Sequence, residues 1–445
     1  MARDCFCNRE RNKLHTGAAS QSGLGSPQVR TMKIATTCSG LLGRAVLFAL
    51  GIALLLGVGE LPGQAQTFKV LHTFTGGDDG AYPQAPLTMD GAGNIYGAAY
   101  SHGASGLGTV FRLQPKDTSW IFTPLYSFPQ VIDGAYPVGV ALGPDGSIYG
   151  ATYFGGEQSD GCGVVFNVKP PPTRPATPLT PWTETVLHVF EGNDGCDPES
   201  GVSFDHAGNL YGTTPNYGPY NAGVVFQMTR SGSSWNFQLI HAFSGNDGTY
   251  PLGPVVFDSA GNLYGNAAFG GPGDTGTIYL LAPSGENWVF TRLTDFPQSG
   301  DGYRVYGGVT VDQSDNVYGG TVGGGSGGGG TVFMISRGNW NFNVLDSLTG
   351  NNGGPIAAPT IDAAGNLYST SSQDGAYGYG NVFKLTPSNG SWIYTDLHDF
   401  TGGADGSGPS ALVFGADGNL YGFAENGGSS PGCDYGCGTI FEITP

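Results

Sequence analysis

The sequence predicts an all-β fold: a seven-bladed β-propeller of four-stranded blades, closed by an N-terminal strand that pairs into the last blade. Three observations point to it. A phrase of the Asn-Leu-Tyr-Gly kind recurs seven times, with its tyrosines at Tyr96, Tyr149, Tyr211, Tyr264, Tyr318, Tyr368 and Tyr421. Each repeat of about 53 residues carries four short strand signals separated by turn chemistry, which matches common strand and loop lengths. The fourth strand signal is missing after the last repeat and is found instead at the start of the mature chain.

The elements follow in chain order. Residues 1–65 read as a targeting segment: Lys33 and Arg44 precede the apolar run Ala45 to Val58, and Gly63-Gln64-Ala65 offers a cleavage point. The run is too short for a hydrocarbon core that needs about 20 residues, so no membrane span is expected in the mature chain. Translation from Met32 would give a leader of ordinary length. The propeller is expected over residues 66–445.

Within the fourth repeat, strand A is expected over Gly253 to Asp258, strand B over Leu263 to Phe269, strand C over Thr277 to Leu281 and strand D over Trp288 to Phe296, with a Gly-Asn turn between A and B. The long spacing in the second repeat comes from a Pro-rich insertion, Lys169 to Pro181. All six tryptophans open a strand D, at Trp120, Trp182, Trp235, Trp288, Trp340 and Trp392. A feature present in nearly every repeat is what packing between blades requires, whereas a single ligand site does not. The seventh strand D is expected at Phe68 to Phe74, whose Leu71-His72 and Phe74 match Leu187-His188 and Phe190. Its pairing with the C-terminal A, B and C strands would cover two open edges. A β-solenoid is the structural alternative, and its shorter repeats fit the period less well.

The phrase Gly208-Asn209-Leu210-Tyr211-Gly212-Thr213-Thr214, followed by Gly223-Val224-Val225-Phe226, resembles the GloVer extracellular tandem-repeat family, the choice-of-anchor repeat proteins of bacteria. The similarity spans all seven units. It implies a secreted bacterial protein and brings no catalytic residues to carry over. Many relatives end in an anchoring segment, whereas this chain ends with a strand-C phrase, so soluble release is expected.

Composition narrows the function. The chain has 445 residues with 79 Gly, 29 Pro and only 12% charged side chains, a profile foreign to coiled coils and helical bundles. Beyond residue 65 there are 10 Lys plus Arg against 32 Asp plus Glu, a charge of −22. Phosphate recognition needs clustered basic residues, so nucleic acid is not an expected partner.

In a four-stranded blade the D-to-A and B-to-C loops emerge on one face, the usual ligand mouth. The D-to-A loops carry Asp79, Asp133, Asp194, Asp247, Asp301 and Asp405, with Asn352 in the sixth. Each precedes Gly, which suits turn chemistry; a weak Ca²⁺ site made from these oxygens is the sharper alternative. Three residues on, the repeats stop agreeing and give Tyr82, Tyr136, Asp197, Tyr250 and Arg304, with Gly408 in the seventh. Tyr faces and an Arg at an acidic mouth suit stacking and hydrogen bonding to a sugar or peptide, while surface packing beside the following prolines is the plain alternative. His72, His188, His241 and His398 share one strand-D position and read as packing elements.

No cofactor is called for by any motif. Glu199, Glu425, Asp160 and Asp434 are blade-specific acids on the mouth face, and Glu199 with Glu425 would be the catalytic carboxylates of a propeller hydrolase or lyase. Cys162 with Cys196 and Cys433 with Cys437 form the economical disulfide pairing for an oxidising compartment, a redox-active Cys433/Cys437 pair being the alternative. The reading that emerges is a secreted or periplasmic monomeric binding module for extracellular carbohydrate or protein, with the enzyme as its rival.

Overall fold

A computed structural model of the chain describes residues 66–157, 161–171, 181–296, 299–349 and 353–445. The expected targeting segment, Asp160, Asn352 and the stretch 172–180 of the Pro-rich insertion lie outside the described residues. The chain folds into seven four-stranded antiparallel sheets, the blades of a β-propeller. In the fourth blade the strands run Thr249–Phe257, Leu263–Phe269, Thr277–Ser284 and Asn287–Asp295, in that spatial order from the channel outward. Strand A therefore begins four residues earlier than its apolar run suggests, because Thr249 and Pro251 already pair with Phe269 and Ala267.

Six blades are sequential meanders. In the seventh, Thr67–Thr73 lies beside Thr439–Thr444, followed by Leu420–Asn426 and Ser407–Phe414. The N-terminal strand pairs antiparallel there, with Phe68 opposite Ile443 and Val70 opposite Phe441. Its Phe68 ring stacks on His398 of the sixth blade at 3.7 Å, and Phe74, Ala81 and Phe423 share one core cluster across the junction of the seventh and first blades.

The recurring phrase is an instruction for one hairpin. In the fourth blade the Asp258 carboxylate accepts from the backbone N–H groups of Ala260 and Asn262 (2.9 Å each), from Asn262 Nδ2 at 2.7 Å and from the Tyr264 hydroxyl at 3.0 Å. Burial alone would raise the Asp258 carboxyl, but these four hydrogen bonds outweigh it and hold it below its ordinary value. Asp90, Asp205, Asp312 and Asp362 repeat the arrangement. In the second and seventh blades the acid comes two residues later, as Asp145 and Asp417, yet each still receives the Tyr149 or Tyr421 hydroxyl, at 3.0 and 2.8 Å.

The glycine after the tyrosine is needed for close approach. A Cβ on Gly212 would stand 2.5 Å from the Phe226 ring of strand C, so only hydrogen fits. The buried tyrosines also reach the neighbouring blade: Trp235 meets Tyr149 edge-on at 5.7 Å, Trp288 meets Tyr211 at 5.9 Å and Trp120 meets Tyr421 at 5.8 Å. The tryptophans are thus spent on packing between blades.

Candidate functional site

One cavity of about 650 Å³ opens along the channel, lined by residues of six blades from their inner two strands and the segments leading into them. Its polar groups are few. Glu199 at the entry to the third blade and Glu425 at the end of strand B in the seventh both face it, with Tyr250, Phe269, Tyr306 and Phe423 supplying aromatic walls. The Tyr250 hydroxyl donates to Glu199 Oε1 at 3.0 Å, and Gln84 Nε2 donates to Glu425 Oε1 at 3.5 Å. Burial pushes the Glu199 carboxyl up; the Tyr250 hydrogen bond opposes that in part, and the neighbouring Asp197 adds to it. Burial likewise raises Glu425, with Gln84 opposing.

The positions where the repeats disagree have one backbone conformation. Tyr82, Tyr136, Asp197, Tyr250 and Arg304 all have left-handed φ, between 55° and 62°, and Gly408 has φ 63°. The cause is a link between blades: each N–H donates to a carbonyl in the preceding blade's B-to-C loop, from Tyr82 to Cys437, Tyr136 to Leu107, Asp197 to Cys162, Tyr250 to Ala222, Arg304 to Thr275 and Gly408 to Tyr379, at 2.8–3.1 Å. The packing is tight enough that a Cβ on Gly223 would lie 2.4 Å from Pro251 Cδ. A side chain in this conformation costs roughly 1–2 kcal/mol that glycine avoids. Five of six such junctions nevertheless keep one.

Those side chains join a wider aromatic arc. Tyr136 stacks on Tyr100 at 5.0 Å, and Tyr100 lies 6.4 Å from Tyr153. Burial raises the Tyr100 phenol, with Tyr153, Tyr136, Glu199 and Asp197 adding to the rise. Tyr250 meets Phe269 edge-on at 5.8 Å, and the Arg304 guanidinium lies over the Phe269 ring at 4.8 Å. Asp197 accepts from Asn216 Nδ2 at 3.1 Å and is raised by burial, Asn216 opposing. Tyr82 is raised by burial and then by Asp434, Glu425 and Tyr435.

The D-to-A aspartates are placed elsewhere. Asp79, Asp194, Asp247 and Asp405 accept from Nε2 of His72, His188, His241 and His398 on the outermost strands, at 2.8–3.2 Å, and from the backbone N–H of Thr75, Glu191, Ser244 and Thr401. Each of these histidines stacks on a phenylalanine of the next blade, Phe122, Phe237, Phe290 or Phe68. Asp133 lies in electrostatic reach of Tyr126 and Glu184, and the backbone carbonyl of Asp301 accepts from Thr331 Oγ1. Among the described residues no group of three His, Cys, Asp or Glu side chains is arranged to hold a metal ion.

Cys162 is bonded to Cys196 and Cys433 to Cys437. The first bond ties a B-to-C loop to the D-to-A loop that carries Asp197. Reasoning from the sequence missed Gln84, Tyr100, Phe269 and Tyr306. A signal for part of this was present: four residues after each repeat tyrosine stand Tyr100, Tyr153, Pro215, Ala268, Val322, Ser372 and Glu425, a second position that varies among otherwise similar repeats.

The fold and this mouth define a β-propeller with an acidic, aromatic-lined channel. The chain matches the model of the Gloeobacter/Verrucomicrobia repeat over residues 58–183, 174–312 and 286–445, and belongs to that family. No curated protein matches it. Among solved structures it is similar to a protein from Thermus thermophilus described as an oxidoreductase of the glucose dehydrogenase kind, at 14% identity over 85% of this chain and 100% of that one, with a TM-score of 0.44. A protein from Bacteroides uniformis described as a 6-phosphogluconolactonase is 13% identical over 70% of this chain and 83% of its own, with a TM-score of 0.45. The activities in those descriptions are those proteins' own.

Proposed function

We propose that this chain is an exported binding module whose channel mouth takes up carbohydrate. The observation that carries the reading is the retention of Tyr82, Tyr136 and Tyr250 in left-handed backbone, where the seventh blade uses Gly408. Backbone strain that a glycine would relieve is kept where the side chain has work to do, and tyrosine gives a rigid flat face with a polar tip for sugar rings. Two disulfides support export to an oxidising compartment. A glycan array read with the protein and with Tyr136→Gly and Tyr250→Gly tests the reading. Binding that the glycine variants lose, with their folds intact, supports it; an array without any bound glycan defeats it.

A hydrolase or lyase is the second reading, favoured by Glu199 and Glu425 lining one cavity with both carboxyls raised. New reducing ends released from a bound glycan, and abolished in Glu199→Gln or Glu425→Gln, would establish it.

A further inference from the structure

We infer that the sugar held in the channel carries a protonated amine: the ligand is an oligomer of amino sugars with free amino groups. This rests on the carbohydrate reading and specifies its chemistry. The cavity's two carboxylates only accept hydrogen bonds once ionised, and among the described residues each has one donor, the Tyr250 hydroxyl for Glu199 and the Gln84 amide for Glu425. Among the described residues no Lys, Arg or His forms an ion pair with either carboxylate. Arg304, on the same mouth, is turned over the Phe269 ring instead. Glu199 stays open to the channel and Glu425 is part-buried, so a ligand entering the cavity meets two carboxylates beside aromatic walls, and an ammonium group is the charge that complements them. Around them Tyr250, Phe269, Tyr306 and Phe423 present rings that suit both a pyranose face and an ammonium group.

The rim favours an oligomer over a single sugar. Tyr217 and Tyr220 of the third blade, Tyr377 and Tyr379 of the sixth and Tyr435 of the seventh are exposed, Tyr435 by 80%, and all five lie in B-to-C loops on the mouth face. Of the exposed aliphatic side chains, Ile121, Val289, Val344 and Ile393 are on outermost strands, and Ile132 joins the mouth face from a D-to-A loop. A chain rising from the channel would meet flat stacking surfaces on the rim. The charge of −22 over residues 66–445 draws a polycation toward the mouth and disfavours uronate-rich polymers.

The test is calorimetric titration of the protein with β-1,4-linked hexamers of glucosamine, N-acetylglucosamine and glucose, at about pH 6.5, where ordinary carboxylates are ionised. The glucosamine hexamer is expected to bind at least about tenfold tighter than either neutral hexamer, a gain that salt erodes. Glu199→Gln and Glu425→Gln should each lower that preference about tenfold, with the thermal midpoint reporting that the variants are folded. Tyr435→Ala, at an exposed position that does not threaten the fold, should weaken the hexamer more than the dimer. Equal affinity for charged and neutral hexamers, or a preference untouched by both glutamine variants, overturns the amine while leaving a carbohydrate module standing. Absence of binding in all three arms overturns the amine, and joined to a blank glycan array it overturns the carbohydrate reading as well.

Discussion

Tyr250 and Glu199 join the fourth blade to the third inside the channel: the phenol donates to Glu199 Oε1 at 3.0 Å while the tyrosine's own N–H donates to Ala222 O at 3.1 Å. The same residue therefore fixes the junction with its backbone and a channel-facing carboxylate with its side chain. Tyr250→Phe removes only the second bond. That bond holds Glu199 down against burial, so the carboxyl must rise further when it is lost. Carbon-detected titration of Glu199 should show a higher midpoint in Tyr250→Phe, and ligand binding that needs the ionised carboxylate should fall away at a correspondingly higher pH on acidification.

The left-handed positions make stability and binding separable. Tyr82→Gly, Tyr136→Gly and Tyr250→Gly each relieve strain in the folded state and loosen the unfolded chain, two effects that nearly cancel, so stability should change by less than about 1 kcal/mol. Alanine at the same sites keeps a Cβ at φ near 60° without the ring contacts and should be the less stable variant of each pair. Denaturant unfolding of the Gly and Ala pairs checks this order.

Much of the blade was readable because it repeats. Tyr264 and Trp288 stand at fixed spacing in register with their counterparts, and internal comparison exposes both the strands and the positions that vary. What the repeats do not reveal is where a side chain goes once blades meet. Asp247 precedes a glycine at a loop tip and its carboxylate could face the channel, yet His241 and the Ser244 N–H draw it toward the outermost strand. Gln84 and Glu425 are 341 residues apart and come together only when the first blade meets the seventh.

The junction between the first and second blades departs from the histidine pattern. Tyr126 and Glu184 stand where four other junctions stack His on Phe, and burial followed by the charge of Asp133 pushes the Glu184 carboxyl up to about 7. Its Oε1 is buried without a hydrogen-bond partner. A carboxyl raised in the folded state means that the fold gains stability as pH falls from about 7 toward the ordinary value of 4.5 and loses it as pH rises through about 7. Glu184→Gln should therefore stabilise the protein by about 1 kcal/mol at pH 8, after allowance for solvent screening, and flatten its stability between those limits. Thermal midpoints measured across this range would show the opposite if Glu184 were held by an unseen cation.

The two disulfides should contribute unequally. Cys162 and Cys196 close a separation of 34 residues, Cys433 and Cys437 one of 4. Chain entropy assigns about 4 kcal/mol to the first and about 2 to the second. Replacing Cys162 and Cys196 together by serine should also weaken ligand binding, since their bond holds the loop bearing Asp197 against the preceding blade. Reversible unfolding of the two double variants, with titration of ligand into each, separates the two effects.

Tyr279 offers a stabilising change. Phe111, Phe166, Phe226, Phe333, Phe383 and Phe441 occupy its position in the other blades, each paired in register with the strand-B residue that follows the repeat tyrosine. In the fourth blade that residue is Gly265, and a Cβ there would lie 2.4 Å from the Tyr279 hydroxyl oxygen. The hydroxyl is buried and has no hydrogen-bond partner, which leaves its desolvation uncompensated. Burial also raises the phenol well above its ordinary value. Tyr279→Phe restores the group used by the other six blades and should raise stability by about 1 kcal/mol with no change in ligand affinity, because Tyr279 does not line the channel cavity. A destabilised Tyr279→Phe variant in denaturant titration would mean that the hydroxyl has a partner, such as a buried water, that balances its burial.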